Sequence, residues 1–187
     1  MKTLFILAGA NGSGKSTIAK ELLPEENIVY VNADDIAKEL CPENMQSARI
    51  QAGKEVHARI DKLLAEGKSF ALESTLSGMV HVKTIEKAQK AGYDVVIIYV
   101  FVDKPEDCIG RIQMRVQNGG HPVPDEDVIR RFERSKHNFW YKYKDLVNFW
   151  VLYYNGGGHV VPVADQEKGR DIEILTENLY TVFKRNL

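Results

Sequence analysis

The stretch Gly9-Ala10-Asn11-Gly12-Ser13-Gly14-Lys15-Ser16-Thr17 has the residue types and spacing of the phosphate-binding loop pattern G-x-x-x-x-G-K-[ST]. Glycines let backbone N–H groups crowd around a phosphate without Cβ clashes. The start of the helix that follows adds its partial positive charge. Lys15 supplies a point charge for the outer phosphates. The Ser16 hydroxyl is placed to ligate a Mg²⁺ that arrives with a nucleotide. The apolar run Thr3–Ala8 precedes the loop, and Ile18–Leu23 follows as a helical stretch that stops at Pro24. Strand, glycine loop and helix is the context this motif requires. A bare glycine-rich turn with an exposed lysine would not need it.

Carboxylates follow two further apolar runs. Asp34 and Asp35 come directly after Ile28–Val31, and Glu73 closes Phe70-Ala71-Leu72. A carboxylate there can take a proton from a hydroxyl or hold Mg²⁺, directly or through water. The plain alternative is that one aspartate caps the helix Ile36–Leu40, which explains one Asp better than two. Asp34 is therefore the candidate base, and Glu73 the residue that orients acceptor or metal. Ser74 and Thr75 can donate to phosphate or sugar oxygens, while Ser77 reads as a cap for the helix behind it. Asp103 ends the run Val95–Val102, and its expected role is N-cap of the helix containing Pro105.

Arginines gather farther along. Arg111 and Arg115 lie four apart on one helical face. The segment Asn118-Gly119-Gly120-His121-Pro122-Val123-Pro124 breaks that helix, and Arg130, Arg131 and Arg134 follow on the next. Two helices joined by a Gly/Pro hinge, with arginines on both, are what a phosphoryl-transfer lid needs, because the cations neutralise the moving phosphoryl while closure excludes water. Surface pairing of Glu126 with Arg130 and Asp127 with Arg131 accounts for only part of the set. His121, alone in its loop, reads as polar surface. Asn155-Gly156-Gly157-Gly158-His159 reads as a flexible turn of no clear chemistry.

Positioning these residues requires alternating elements. Near-continuous apolar runs at Thr3–Ala8, Ile28–Val31, Ser69–Glu73, Asp94–Val102 and Val147–Tyr154 suit a parallel sheet buried on both faces. Helical stretches lie between them: Asn44–Glu66 ending at Gly67, Val80–Ala91 ending at Gly92, Pro105–Gln117, a helix restarting at Asp125, and a last one over Gly169–Lys184. The expected fold is α/β and three-layered, a P-loop NTPase fold in which ligands gather at the carboxyl ends of the strands. The chain is expected to be one domain, 1–187, with a lid-like insertion over about 105–144.

In order, Gly9–Thr17, Val31-Asn32-Ala33-Asp34, Leu72–Gly78, and Gly119–Pro124 with Ile129–Ser135 resemble the zeta-toxin-like P-loop kinases, in particular their compact bacterial members. The likeness runs from Met1 to about Tyr154. It implies a nucleotide-kinase-like sheet of order 2-3-1-4-5, ATP or GTP with Mg²⁺ as phosphoryl donor, and an antitoxin protein as partner. Larger zeta toxins phosphorylate the sugar of UDP-N-acetylglucosamine, so a UDP-sugar is the acceptor the resemblance implies, although no segment here matches their sugar-binding segments. By position, Asp34 matches their catalytic base, Glu73 the acidic residue after the third strand, and Lys15 the loop lysine. Arg115 matches one lid arginine, and Arg130, Arg131 and Arg134 compete for the other.

The expected activity is thus an ATP-dependent kinase acting on a small-molecule hydroxyl. Two alternatives are a nucleotide-binding ATPase or effector acting through a protein partner, and a polynucleotide 5′-kinase using the basic, aromatic stretch Arg130–Lys144. A formal charge of −1 over 187 residues gives no global basic field for nucleic acid or membrane. The aromatics of that stretch read as core-facing and its lysines as solvated. Cys41 and Cys108 have no ligand spacing and read as thiols in a reducing cytosol. No apolar segment approaches the ~20 residues of a membrane span, and cleavage of the N-terminal apolar run as a leader would destroy the loop, so the expected location is cytoplasmic.

Overall fold

In the computed structural model, which describes residues 1–23, 28–185 and 187, strand β1 (Thr3–Ala8) sits inside a seven-stranded sheet. Its alternate residues enter different cores. Leu4, Ile6 and Ala8 pack with Ile36, Ile60 and Ile85 on one face, while Leu7 meets Ala19 on the other. Both faces are covered, which is why the strand reads as an unbroken apolar run. Strands β2 (Val29–Val31), β3 (Phe70–Ser74), β4 (Asp94–Phe101) and β5 (Phe149–Gly156) join it in parallel, in the order β2-β3-β1-β4-β5. That is the order the resemblance implied.

Two strands extend the expected sheet. β6 (His159–Glu167) and β7 (Glu173–Ile174) add antiparallel beyond β5. Pro162 hides β6 in the sequence, because proline cannot donate to a ladder. The pairing shifts register there, from Leu152↔Ala164 to Tyr153↔Pro162, and the resulting bulge accommodates it. Of the stretch read as a flexible turn, Asn155–His159, only Gly157 and Gly158 turn; Asn155 and Gly156 pair with Val160 and His159 as the ends of β5 and β6.

The helices are α1 (Lys15–Leu22), α2 (Ala33–Leu40), α3 (Arg49–Glu66), α4 (Val80–Lys90), α5 (Pro105–Gln117), α6 (Asp125–Asn138) and α7 (Glu177–Lys184). The expected helix stop at Pro24 lies outside the described residues. α3 starts later than Asn44, since Asn44 instead accepts from Ser47 N–H and Oγ in a local turn. α7 is shorter than Gly169–Lys184 because the chain first pairs as β7. Asp103 does not cap α5. Lys104 flanks that helix without a side-chain cap, and Asp103 accepts from the Tyr154 hydroxyl instead. Ser77 does not cap α4 either, and its Oγ lies 2.9 Å from Thr75 Oγ1.

After α6 the chain widens into a π-helical turn, Phe139–Tyr143. Phe139, Trp140 and Tyr143 are buried there with Trp150 and Phe183, and Tyr99 stacks on Phe139 with ring centroids 4.3 Å apart. Lys184 Nζ lies 3.7 Å above the Trp140 ring. The aromatics of the basic stretch thus face the core, apart from exposed Tyr141. Cys41 and Cys108 are free thiols. Among the described residues, no helix is long and apolar enough to cross a membrane.

Candidate active site

The loop between β1 and α1 turns on Gly14, the N-cap residue, whose φ of +97° L side chains rarely adopt. Among the described residues, no side chain caps α1 and no acid sits in its first turn. Its leading N–H groups are therefore free to serve an anion. Lys15 is 5 % exposed, and its ammonium donates to the Ala10 carbonyl at 2.8 Å, inside the loop itself. Burial lowers the Lys15 pKa, with nearby Glu73 opposing that shift. A desolvated cation with an uncapped helix start beside it fits a nucleotide polyphosphate.

Glu73, at the carboxyl end of β3, gathers the neighbouring donors. Its Oε2 accepts from Ser16 Oγ at 2.8 Å, from Asn32 Nδ2 at 3.2 Å, and from the Tyr30 hydroxyl. Its Oε1 lies 3.8 Å from Lys15 Nζ. Burial and the Glu73 charge push the Tyr30 hydroxyl pKa well up, so Tyr30 stays a donor. The serine expected to meet Mg²⁺ and the carboxylate expected to orient metal or acceptor are thus in direct contact. Ser74 supports the turn behind them, where its Oγ accepts from Leu76 N–H at 3.0 Å and Leu76 holds a φ of +51°.

The capping question at α2 resolves clearly. Asn32 is the cap, and its Oδ1 accepts from the Asp34 N–H at 2.8 Å. The Asp34 carboxylate is left over, half exposed, with His121 Nε2 3.2 Å from its Oδ2. Asp35 has its pKa raised, first by burial and then by Glu73 and Asp34. His121 is therefore part of the site rather than plain polar surface.

The helical pair α5–α6 brings some of the expected arginines together and leaves others out. Arg131 Nη1 donates to Asn11 Oδ1 in the phosphate loop at 3.2 Å, and its Nη2 to Asp127 at 3.2 Å. Arg115 Nη2 donates to the His121 carbonyl at 3.0 Å. Arg130 pairs with Asp127. Arg134 is exposed, and among the described residues it has no hydrogen-bond or ion-pair partner at the loop. Of Arg130, Arg131 and Arg134, Arg131 is the one that contacts the phosphate loop among the described residues, through Asn11.

Arg111, singled out with Arg115 on one helical face, serves as a brace, and its partner Asn155 escaped the sequence reading. Arg111 Nη1 donates to the Ser13 carbonyl at 3.3 Å, and its Nη2 to the Asn155 carbonyl at 2.6 Å. Asn155 Nδ2 donates to the same Ser13 carbonyl at 2.8 Å. Together they tie α5, the phosphate loop and the end of β5. Helical spacing had put Arg111 on the Arg115 face, but nothing local marked Asn155.

Residues 4–136 match the family described as the AAA domain. An uncharacterized protein of Haemophilus influenzae is 32% identical over 124 residues, which cover 66% of this chain and 88% of that protein. Among solved structures, the AvrRxo1-ORF1:-ORF2 crystal structure with ATP superposes with a TM-score of 0.77 at 20% identity, over 97% of this chain and 63% of that one. This chain thus spans a little under two thirds of that neighbour's length. The PezAT chromosomal toxin–antitoxin system of Streptococcus pneumoniae gives a TM-score of 0.69 at 21% identity, over 100% of this chain and 80% of that one. The fold is that of a P-loop, kinase-like α/β domain.

Proposed function

The chain belongs to the AAA domain family, and from that premise we propose that it is an ATP-dependent phosphotransferase acting on a hydroxyl of a small molecule. The observation that carries the reading is the Asp34 carboxylate. Asn32 relieves it of capping, so it stays half exposed at the carboxyl end of β2. His121 is its one side-chain partner among the described residues, and the carboxylate is close enough for its charge to act on Lys15.

Each residue then has a task. The loop Gly9–Thr17 receives the phosphates of ATP or GTP. Lys15 neutralises the outer phosphates. Ser16 is the residue that would hold Mg²⁺, with Glu73 accepting from its hydroxyl. The ion, when bound, spreads the charge that develops on the phosphates. Asp34 accepts the proton of the acceptor hydroxyl. Arg131 and Arg115 add positive charge from the helical pair, which acts as a lid over about 105–144 of a single domain.

A UDP-sugar such as UDP-N-acetylglucosamine is the acceptor to try first, on the strength of the motif resemblance. A cytoplasmic setting and an antitoxin-type partner protein belong to the same reading, since the two structural neighbours described above were solved as two-component systems.

The test is mass spectrometry after incubation with MgATP and a pool of UDP-sugars, nucleosides and short RNA. A phosphorylated acceptor is expected with the wild type and with neither Lys15→Ala nor Asp34→Asn, although Asp34→Asn keeps MgATP affinity. Normal turnover by Asp34→Asn would remove it as the base. ATP binding with no phosphorylated product would favour an effector acting through its partner.

A further inference from the structure

The turn between α5 and α6 is built to deliver one side chain. Gly119 and Gly120 N–H groups donate back to the Val116 and Arg115 carbonyls at 3.0 and 2.9 Å, closing α5. Gly120 passes so close over Arg115 that a Cβ would stand 2.5 Å from Arg115 Cγ and 2.9 Å from its carbonyl oxygen. His121 comes next. Arg115 Nη2 grips its carbonyl at 3.0 Å, and its Nε2 lies 3.2 Å from Asp34 Oδ2. Arg115 Nη2 also stands 3.5 Å from that Nε2. The ring's role depends on its tautomer: an Nε2–H imidazole donates to the Asp34 carboxylate, an obligate acceptor, whereas a bare Nε2 would accept from Arg115.

We infer that His121 is a guard on the proton acceptor. It holds the Asp34 carboxylate while no acceptor is bound and yields it to the acceptor hydroxyl. The inference rests on the kinase reading with Asp34 as base. In transfer, the acceptor oxygen bonds to the γ-phosphorus, its proton passes to Asp34, the bond to the bridging oxygen breaks and ADP leaves. Water in the acceptor's place would follow the same course and release inorganic phosphate. Nε2–H engages Oδ2 of the Asp34 carboxylate. A free water must outcompete a charge-assisted hydrogen bond for it, whereas an acceptor held by the rest of its binding site delivers its hydroxyl at high effective concentration. His121 is a positioning residue in this scheme, acting through Asp34.

The experiment measures hydrolysis of MgATP without acceptor, beside MgATP binding. His121→Ala is expected to raise Lys15-dependent hydrolysis about tenfold, the rate equivalent of losing one charge-assisted hydrogen bond. His121→Gln, which retains an N–H donor, should return it toward the wild-type rate. The rise should vanish in the double variant with Asp34→Asn. Unchanged hydrolysis in His121→Ala with MgATP still bound overturns the guard, as does a rise that survives Asp34→Asn. In the nucleotide-free protein, the His121 ring nitrogen shifts should report an Nε2-protonated imidazole and move in Asp34→Ala; an Nδ1-protonated ring also overturns it. Failure of the wild type to bind MgATP would instead take away the kinase reading, and the guard with it.

Discussion

Asn155 Nδ2 donates to the Ser13 carbonyl at 2.8 Å, fastening the end of β5 to the phosphate loop. Arg111 bridges the same two segments from α5. The nucleotide loop is therefore braced from behind by residues far from it in the chain, and its shape depends on the hairpin as well as on its own glycines.

Asn155→Ala should weaken MgATP binding about two- to tenfold, the worth of one net hydrogen bond. Gly14→Ala should abolish it, because its Cβ would lie 2.1 Å from Asn155 Nδ2 at a φ of +97°. Combining the two relieves the collision but not the backbone strain, so calorimetric titration should still find the double variant defective. Recovery to the Asn155→Ala affinity would mean the collision alone matters.

Arg131 and Arg134 lie on one helix, but only Arg131 reaches the phosphate loop, through Asn11. Single-turnover transfer should fall at least about a hundredfold in Arg131→Ala and change little in Arg134→Ala. Equal losses would show that the lid moves enough to exchange one arginine for the other.

His81 is a buried histidine of α4 whose Nδ1 has no hydrogen-bond partner among the described residues. Burial first, and His57 second, push its pKa down to about 4. Between about pH 6.5 and 4 the unfolded chain takes up a proton there that the folded protein refuses, so stability falls as pH falls through that window. Above it, both states are neutral and the group contributes nothing to the pH dependence. Unfolding by urea should show about 2 kcal/mol less stability at pH 5 than at pH 7 from this residue. His81→Leu should remove that difference whatever its effect on absolute stability. A pH profile unchanged by the substitution would place the acid sensitivity elsewhere.

Local chemistry explains how much could be read before the structure. The strand–glycine loop–helix unit at Thr3–Leu22 is specified by neighbouring residues, so its pattern names it. The strands buried on both faces announce themselves as unbroken apolar runs. Their carboxyl ends bring Asp34 and Glu73 to the loop, and the parallel order follows from a motif likeness that spans the whole site. β6 did not announce itself, because Pro162 contradicts a strand locally and is tolerated only where a bulge and a paired neighbour absorb it.

The remaining decisions depended on distance in space. Asn32 rather than Asp34 caps α2, because the choice between adjacent cap candidates is set by backbone angles that the sequence does not display. Arg131 rather than Arg134 meets the loop, because the packing of α6 decides which of two helix neighbours faces inward. Asn155 sits at the end of β5 and His121 in the α5–α6 turn, in stretches whose composition says only that the chain bends. Their partners, Ser13 and Asp34, reach them only when the hairpin and the α5–α6 turn close over the sheet. Sequence alone determined which chemistry this chain can attempt, since that depends on residue type and near spacing. Tertiary structure decided which side chains are free to carry it out, since that depends on which hydrogen-bonding groups the fold has already satisfied.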